Sequence, residues 1–344
     1  MFFILSFLFL PICTPPATSV CAGILNDAPL MHNDKHYGTQ NASGDDQLHL
    51  DLDCDSAVFK CLRQCEVVAM AASEETPVET PLSSSTGAGI YSVGFDPLDG
   101  SSIIDANMAV GAIFGIWKSN CGVIGLTGRD QVASVISVYG PRTTLVVAIA
   151  APYRVTFEVT LVESRAMWKV TLPHVHIHEE GKVFAPGNLR ASNENSRYYN
   201  LIRYWIENRY TLRYRYDPYL VCISVSFLTF IVCVSPNKLP YLLLRMYFIC
   251  ELSGGMVPDV YHILIKSEGI FANVSSEKSK AKLRLVYEVA PISLIIELAG
   301  GSAISEHGGS ILDVKIQHLD QRIGVCLGST KEVDTFTRFM LDGK

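Results

Sequence analysis

The sequence has no excess of positive charge: 28 Lys and Arg stand against 34 Asp and Glu, a formal charge of −6. No global basic field is available to recruit nucleic acid. Charge of either sign is scarce, at 18% of residues against 49% hydrophobic, which excludes a disordered chain or a solvated linker. Gly and Pro together make up only 41 of 344 residues and no internal repeat is visible, so a collagen-like chain is excluded as well. The ten cysteines include no C-x-x-C pair, and no His is interleaved at zinc spacing. A structural zinc site and a disulfide scaffold are both unexpected in a chain this long, and the thiols should be reduced and mostly buried. Basic residues are also missing at the start. Met1 to Ile12 is almost wholly apolar like the core of a signal peptide, yet no Lys or Arg precedes it and Pro11 breaks it.

What is present is enough apolar residue for a large core and, by length, for about two domains. Residues 44 to 72 read as a helix with acids near its start, followed by a Ser- and Gly-rich loop from Ser83 to Gly89. Strand signals run over Ile90 to Phe95, Val110 to Trp117 and Leu145 to Ala150, and Val155 to Val162 pairs naturally with Trp168 to Leu172. The spacing predicts helices over Gly128 to Tyr139, Tyr198 to Asn208 and Ala290 to Leu298, and short strands over Ile263 to Lys266 and Val325 to Gly328. His174, His176 and His178 alternate as they would on one polar face of a strand. This mixed order points to a layered α/β fold.

The chemistry is concentrated in Phe95-Asp96-Pro97-Leu98-Asp99-Gly100-Ser101-Ser102. Two carboxylates three residues apart at a strand's end converge because Pro97 and the turn redirect the chain. Gly100 lets the backbone approach a ligand, and the N–H groups of Gly100, Ser101 and Ser102 can face an anion. Carboxylates beside backbone donors suit a divalent cation bridging to a phosphate.

This octapeptide resembles the signature of the fructose-1,6-/sedoheptulose-1,7-bisphosphatase family. Ser73-Glu74-Glu75 resembles the family's acidic pair, and Lys282 to Glu288 with Glu297-Leu298-Ala299-Gly300-Gly301 resembles its C-terminal block. Thr127 to Val132, Tyr139 to Thr143 and Phe184-Ala185-Pro186-Gly187-Asn188-Leu189-Arg190 resemble the sedoheptulose branch, as does Asn273 where the fructose enzymes usually carry a tyrosine. The resemblance implies a layered αβαβα sandwich, with an atypical segment at 1–43, a metal- and phosphate-binding domain at 44–180 and a substrate domain at 181–344. It implies two or three Mg²⁺ ions held by Glu74, Asp96, Asp99, Glu288 and Asp45, with the Leu98 carbonyl completing one shell. It gives Asp51, which lies 23 residues before Glu74 as the family spacing requires, and Glu75 the task of orienting and deprotonating the attacking water. Asp99, Gly100, Ser101 and Ser102 would hold the phosphate that is cleaved, and Asn188, Arg213, Tyr214, Lys282 and Arg284 the sugar and the distal phosphate. The implied ligand is a small sugar bisphosphate, with neither nucleic acid nor membrane as partner. The chain would form a homo-oligomer, dimer or tetramer, in the cytoplasm or, as for plant members, the plastid.

One departure interrupts the resemblance. The family runs from Arg-Tyr through a short link into Met-Val-Pro-Asp-Val, but here the 38 residues from Arg215 to Leu252 intervene before Ser253-Gly254-Gly255-Met256. They include the 20 uncharged residues Pro218 to Asn237, long enough to cross a bilayer. A single crossing there would put the two halves of one site on opposite sides, so translation of an unspliced intron is the more economical expectation.

Overall fold

The computed structural model describes residues 15–31, 36–40, 46–82, 89–104, 106–162, 167–212 and 255–342. The expectations on Asp45, Arg213, Tyr214, the loop at 83–88 and the inserted 215–252 fall outside these residues.

Among the described residues two helices come first, α1 (Pro15–Met31) and α2 (His49–Arg63), separated by the antiparallel ribbon β1 (His36–Gln40) and β2 (Asp46–Leu48). Strands β3 (Val68–Ser73), β4 (Thr80–Pro81), β5 (Tyr91–Asp99), β6 (Val110–Trp117), β7 (Gln131–Tyr139), β8 (Thr143–Ile149), β9 (Val155–Val162) and β10 (Met167–Leu172) then build one sheet. Its order is β10-β9-β8-β7-β6-β5-β3-β4, antiparallel throughout except where β3 and β5 run parallel. A second sheet joins β11 (Val183–Pro186), β12 (Thr211–Leu212), β13 (Ile270–Asn273), β14 (Ser302–Ser305) and β15 (Val325–Gly328) in the order β12-β11-β13-β15-β14. The remaining helices among the described residues are α3 (Ser196–Glu207), α4 (Met256–Lys266), α5 (Ala290–Leu298) and α6 (Thr330–Met340).

Three apolar cores define the layers. Ala17 and Cys21 of α1 and Leu50, Cys54, Val58 and Leu62 of α2 pack on one face of the large sheet against Val93, Phe95 and Phe114. The other face, with Ile113, Ile136 and Val146, meets Val257, Val260 and Ile263 of α4 and Ile292, Ile295 and Ile296 of α5, which in turn cover Phe271 and Leu327 of the second sheet. The far side of that sheet is closed by Leu201 and Trp205 of α3 and Phe336 of α6. The result is the expected αβαβα sandwich, the first sheet ending at Leu172 and the second beginning at Val183.

Two segments take the opposite conformation to that expected. Gln131 to Tyr139 is a strand rather than a helix, entered through a short 3₁₀ turn at Gly128–Asp130. It is paired on both edges by β6 and β8 and buried on both faces, the environment in which its Val and Ile residues fit a pleated sheet better than a helix. Ile263 to Lys266 is the last turn of α4 rather than a strand. The four residues are apolar enough for either state, and the helix wins because Val257, Val260, Ile263 and Leu264 line one buried face at helical spacing. The histidine row also differs: residues 174 to 178 are extended but lie outside the two sheets. Val175 and Ile177 are buried, their N–H groups bonded to the Thr156 and Ala299 carbonyls at 2.8 Å each, and the three histidines alternating with them are exposed.

Candidate active site

The site forms where β3 and β5 end side by side. Their parallel register sets Ser73 against Phe95, and the Glu74 N–H continues the pairing to the Phe95 carbonyl at 3.0 Å. Glu74, just past the end of β3, and Asp96, within β5, are therefore neighbours although 22 positions apart in sequence. Phe95 is fixed beneath them by Phe59 of α2, ring centroids 5.2 Å apart, and by Phe114 at 5.9 Å. The third acid comes from the other half of the chain. Glu288 lies in a single π-helical turn, Leu285–Val289, that leads into α5. The turn approaches β5 closely because residue 94 is glycine, where a Cβ would lie 2.8 Å from Val286 Cγ1. One carboxylate oxygen from each of Glu74, Asp96 and Glu288 lies within 4.8 Å of the others. It is the one such group among the described residues.

Burial makes this cluster electrostatically costly. Asp96 is 4% exposed and Glu288 5%. Burial, reinforced by the charges of Glu74 and Asp99, lifts both carboxyls well above the ordinary range. Glu74 is pushed up to about 7 by burial, against the pull of Arg284 and with the help of Glu75. Part of the repulsion is relieved locally: the Leu98 N–H donates to Asp96 Oδ1 at 2.9 Å and the Arg284 N–H to Glu288 Oε2 at 2.5 Å. All the convergent donors are carboxylate oxygens, the set that suits a hard divalent cation, and such an ion would neutralise acids that cannot all ionise alone. The residues present fit Mg²⁺.

Asp51 is buried in the first turn of α2, and Glu75 is half-buried next to Glu74. Leu98 is buried, while Gly100, in the left-handed region at φ 90°, opens a 3₁₀ turn at Ser101–Ile103 whose first N–H groups the turn itself does not use. Asp99 stands apart from the three-acid cluster: its Oδ1 accepts from Met256 N at 2.8 Å and its Oδ2 from Val257 N at 2.6 Å. The free donors and positive end of α4 draw the carboxylate to them, and Gly255 leaves the space, since a Cβ there would lie 2.0 Å from Asp99 Oδ2.

Arg284 and Asn188, expected at the sugar and distal phosphate, both make contacts within the chain. Arg284 is 4% exposed and ion-paired to Glu74, with its Nε 3.1 Å from Asp320 Oδ1, because a buried guanidinium requires anions around it. Asn188 donates to the Val274 and Ser279 carbonyls at 2.9 and 3.1 Å and accepts from Ser279 Oγ, so its amide staples the 274–279 loop. Lys282 is exposed. Two charged residues near the acids were not anticipated from the sequence, Asp320 and Asp55. Asp55 had a signal that was open to reading: it lies four residues after Asp51, hence on the same face of α2.

Fold and site together define a class, a five-layer α/β protein in which the carboxylates Glu74, Asp96 and Glu288 converge in an arrangement that could hold a divalent cation. The family follows from comparison. Residues 10–164 match the model of the fructose-1-6-bisphosphatase N-terminal domain and residues 239–341 that of its C-terminal domain. The chain is 41% identical over 303 residues to the chloroplastic sedoheptulose-1,7-bisphosphatase of Spinacia oleracea, covering 88% of this chain and 67% of that protein. It is 34% identical over 308 residues to the class 1 fructose-1,6-bisphosphatase of Citrifermentans bemidjiense, covering 89% and 80%. In structure it resembles Leishmania major fructose-1,6-bisphosphatase in holo form, with a TM-score of 0.77, 28% identity and coverage of 94% and 91%. The chain spans about two thirds of the chloroplast relatives it matches, from 64% for the wheat protein to 67% for spinach. It belongs to the fructose-1,6-bisphosphatase family, whose named members here are sugar bisphosphatases, that is, phosphoric monoester hydrolases. Among the described residues no helix is long and apolar enough to cross a membrane.

Proposed function

We propose that the protein is a Mg²⁺-dependent sugar bisphosphatase that removes the 1-phosphate of sedoheptulose 1,7-bisphosphate. The observation that carries this reading is the convergence of Glu74, Asp96 and Glu288 from three separate segments onto one buried point. Divalent ions bound there supply charge neutralisation on the phosphate and a more acidic water. Glu74, Asp96, Glu288 and the Leu98 carbonyl would hold them, with Asp45 as the further acid the resemblance implies. Asp51 and Glu75 orient the attacking water and take its proton, a task suited to carboxylates in a partly buried, acid-rich setting. Asp99 anchors the signature turn on α4, so that Gly100, Ser101 and Ser102 present their N–H groups to the phosphate. Lys282, and with it Arg213 and Tyr214, offers positive or polar contacts to the distal phosphate, while Asn188 shapes the loop beside it. Arg284 counters the cluster's charge from within.

The seven-carbon sugar is favoured by the higher identity to chloroplastic sedoheptulose bisphosphatases than to bacterial fructose bisphosphatases, 41% against 34%. We place the enzyme in the cytoplasm, with the plastid of the chloroplast relatives as the alternative, and expect it to work as a homo-oligomer. The test is phosphate release from both sugar bisphosphates with and without Mg²⁺. Metal-dependent release with the higher kcat/KM on the seven-carbon substrate is expected, and Asp96→Asn or Glu288→Gln should abolish it in a folded chain. Near-normal turnover by either variant would remove the reading, and a higher kcat/KM on fructose 1,6-bisphosphate would reverse the choice of substrate.

A further inference from the structure

We propose that Asp55 is a positioning residue that fixes the Glu74-Glu75 pair in the geometry that metal binding requires. The inference rests on the reading of the acid cluster as a metal site. Asp55 lies one helical turn beyond Asp51 on α2 and is 7% exposed. Its Oδ1 accepts from Ser73 Oγ at 2.5 Å and its Oδ2 from Thr76 Oγ1 at 3.2 Å. These two hydroxyls bracket the acidic pair. The bracket is closed on itself as well, because Thr76 N donates to Ser73 Oγ at 2.9 Å and Ser73 N to the Thr76 carbonyl at 3.1 Å. Glu74 and Glu75 thus occupy the two middle positions of a four-residue turn whose ends are both held by one carboxylate from a different element. Ser73 is the last residue of β3 and is fully buried, so the sheet fixes the turn on one side and α2 on the other.

A carboxylate buried in this position costs desolvation free energy that an apolar residue would avoid. Two hydroxyl donors offset that cost, and what they secure is a turn that would otherwise be held at its far end only by its own backbone. Asp51, the acid assigned to the water, lies one turn earlier on the same helix. One rigid element therefore sets both the acid assigned to the water and the turn bearing Glu74 and Glu75. Partners that orient metal ligands in this way typically change metal affinity by 10- to 100-fold when removed.

The experiment measures binding of Mn²⁺, used as the probe ion, to the full chain without substrate, by the loss of the free-ion electron paramagnetic resonance signal, alongside thermal unfolding and steady-state kinetics. Asp55→Ala is expected to weaken Mn²⁺ binding about tenfold or more and to lower kcat while leaving KM for the sugar bisphosphate nearly unchanged at saturating metal. Asp55→Asn, which keeps the volume and an acceptor oxygen, should recover most of the affinity. In a Ser73→Ala background, Asp55→Ala should add little, since the shorter of its two bonds is already gone. If Asp55→Ala does not fold, a folded Ser73→Ala should still show a severalfold loss of Mn²⁺ affinity. A variant that lowers the melting temperature but binds Mn²⁺ within about twofold of the parent assigns Asp55 to stability alone and overturns the proposal. A parent chain that takes up no Mn²⁺ overturns the metal-site reading and the proposal with it. One that binds Mn²⁺ without hydrolysing either sugar removes the assigned activity only and leaves the role of Asp55 to be read from the titration.

Discussion

Raising the pH should destabilise the metal-free protein through Glu74, and replacing Glu74 with glutamine should remove that effect. In the folded chain this carboxyl is pushed up to about 7, whereas its ordinary value is 4.5. Between those two values the folded chain keeps a proton that the unfolded chain has released. The unfolded state therefore binds fewer protons, and stability falls as the pH rises across that window. The contribution is fully present below the lower value, declines through the window and is gone above the upper one. A displacement of that size corresponds to about 3 kcal/mol, with the opposing pull of Arg284 already included. Unfolding entropy of roughly 2 cal/mol/K per residue gives a chain of 344 residues about 0.7 kcal/mol/K, so the loss appears as a fall of about 4 °C in Tm. Differential scanning fluorimetry in a metal chelator at about pH 4 and about pH 8 reads it. Parent and Glu74→Gln should melt together at the lower pH, and the variant should melt about 4 °C higher at the upper one. Excess Mg²⁺ should reverse the order at the upper pH, because the ion binds the folded parent and has lost a ligand in the variant. Parallel pH curves for the two proteins, or a variant that is less stable than the parent at high pH without metal, would refute the reasoning.

Two further outcomes follow from the same geometry. Glu75→Gln should leave Mn²⁺ affinity largely intact while slowing kcat roughly 10²- to 10⁴-fold, because Glu75 is assigned to the water and Glu74 to the ion; a collapse of metal affinity would show the roles to be exchanged. Asp99→Ala should cost about 1 kcal/mol by stripping the acceptors from the first N–H groups of α4, read as a lower Tm, and an unchanged Tm would remove Asp99 as the anchor of that helix.

The αβαβα layering could be read because the family blocks are long and the strands flanking the site alternate or run apolar in lengths that admit one state. Val110–Trp117, Val155–Val162 and Val325–Gly328 appear at their expected positions. The failures share a cause. Gly128 to Tyr139 and Ile263 to Lys266 are stretches whose periodicity suits either state, and the decision came from partners outside the stretch itself: the two flanking strand edges for the first and the apolar seam against α5 and the large sheet for the second. Local pattern carries no record of such partners.

The site divides along the same line. Glu74, Asp96 and Glu288 could be named because each sits in a block of recognisable residues, yet nothing in those blocks shows that their oxygens meet. That depends on β3 lying parallel to β5 and on a π turn passing over Gly94. Arg284 and Asp99 illustrate the converse. A buried arginine beside three acids is drawn into ion pairs with Glu74 and Asp320, and an aspartate beside a helix start is drawn to its free N–H groups, whatever role a linear motif assigns them. Asp99 also ties the signature turn to Met256 and Val257, among the first residues described after the inserted stretch. The signature turn from one half of the chain and the helix from the other are thus joined by two short hydrogen bonds. Any displacement of the start of α4 is passed directly to Gly100 and Ser101, one and two residues from that carboxylate.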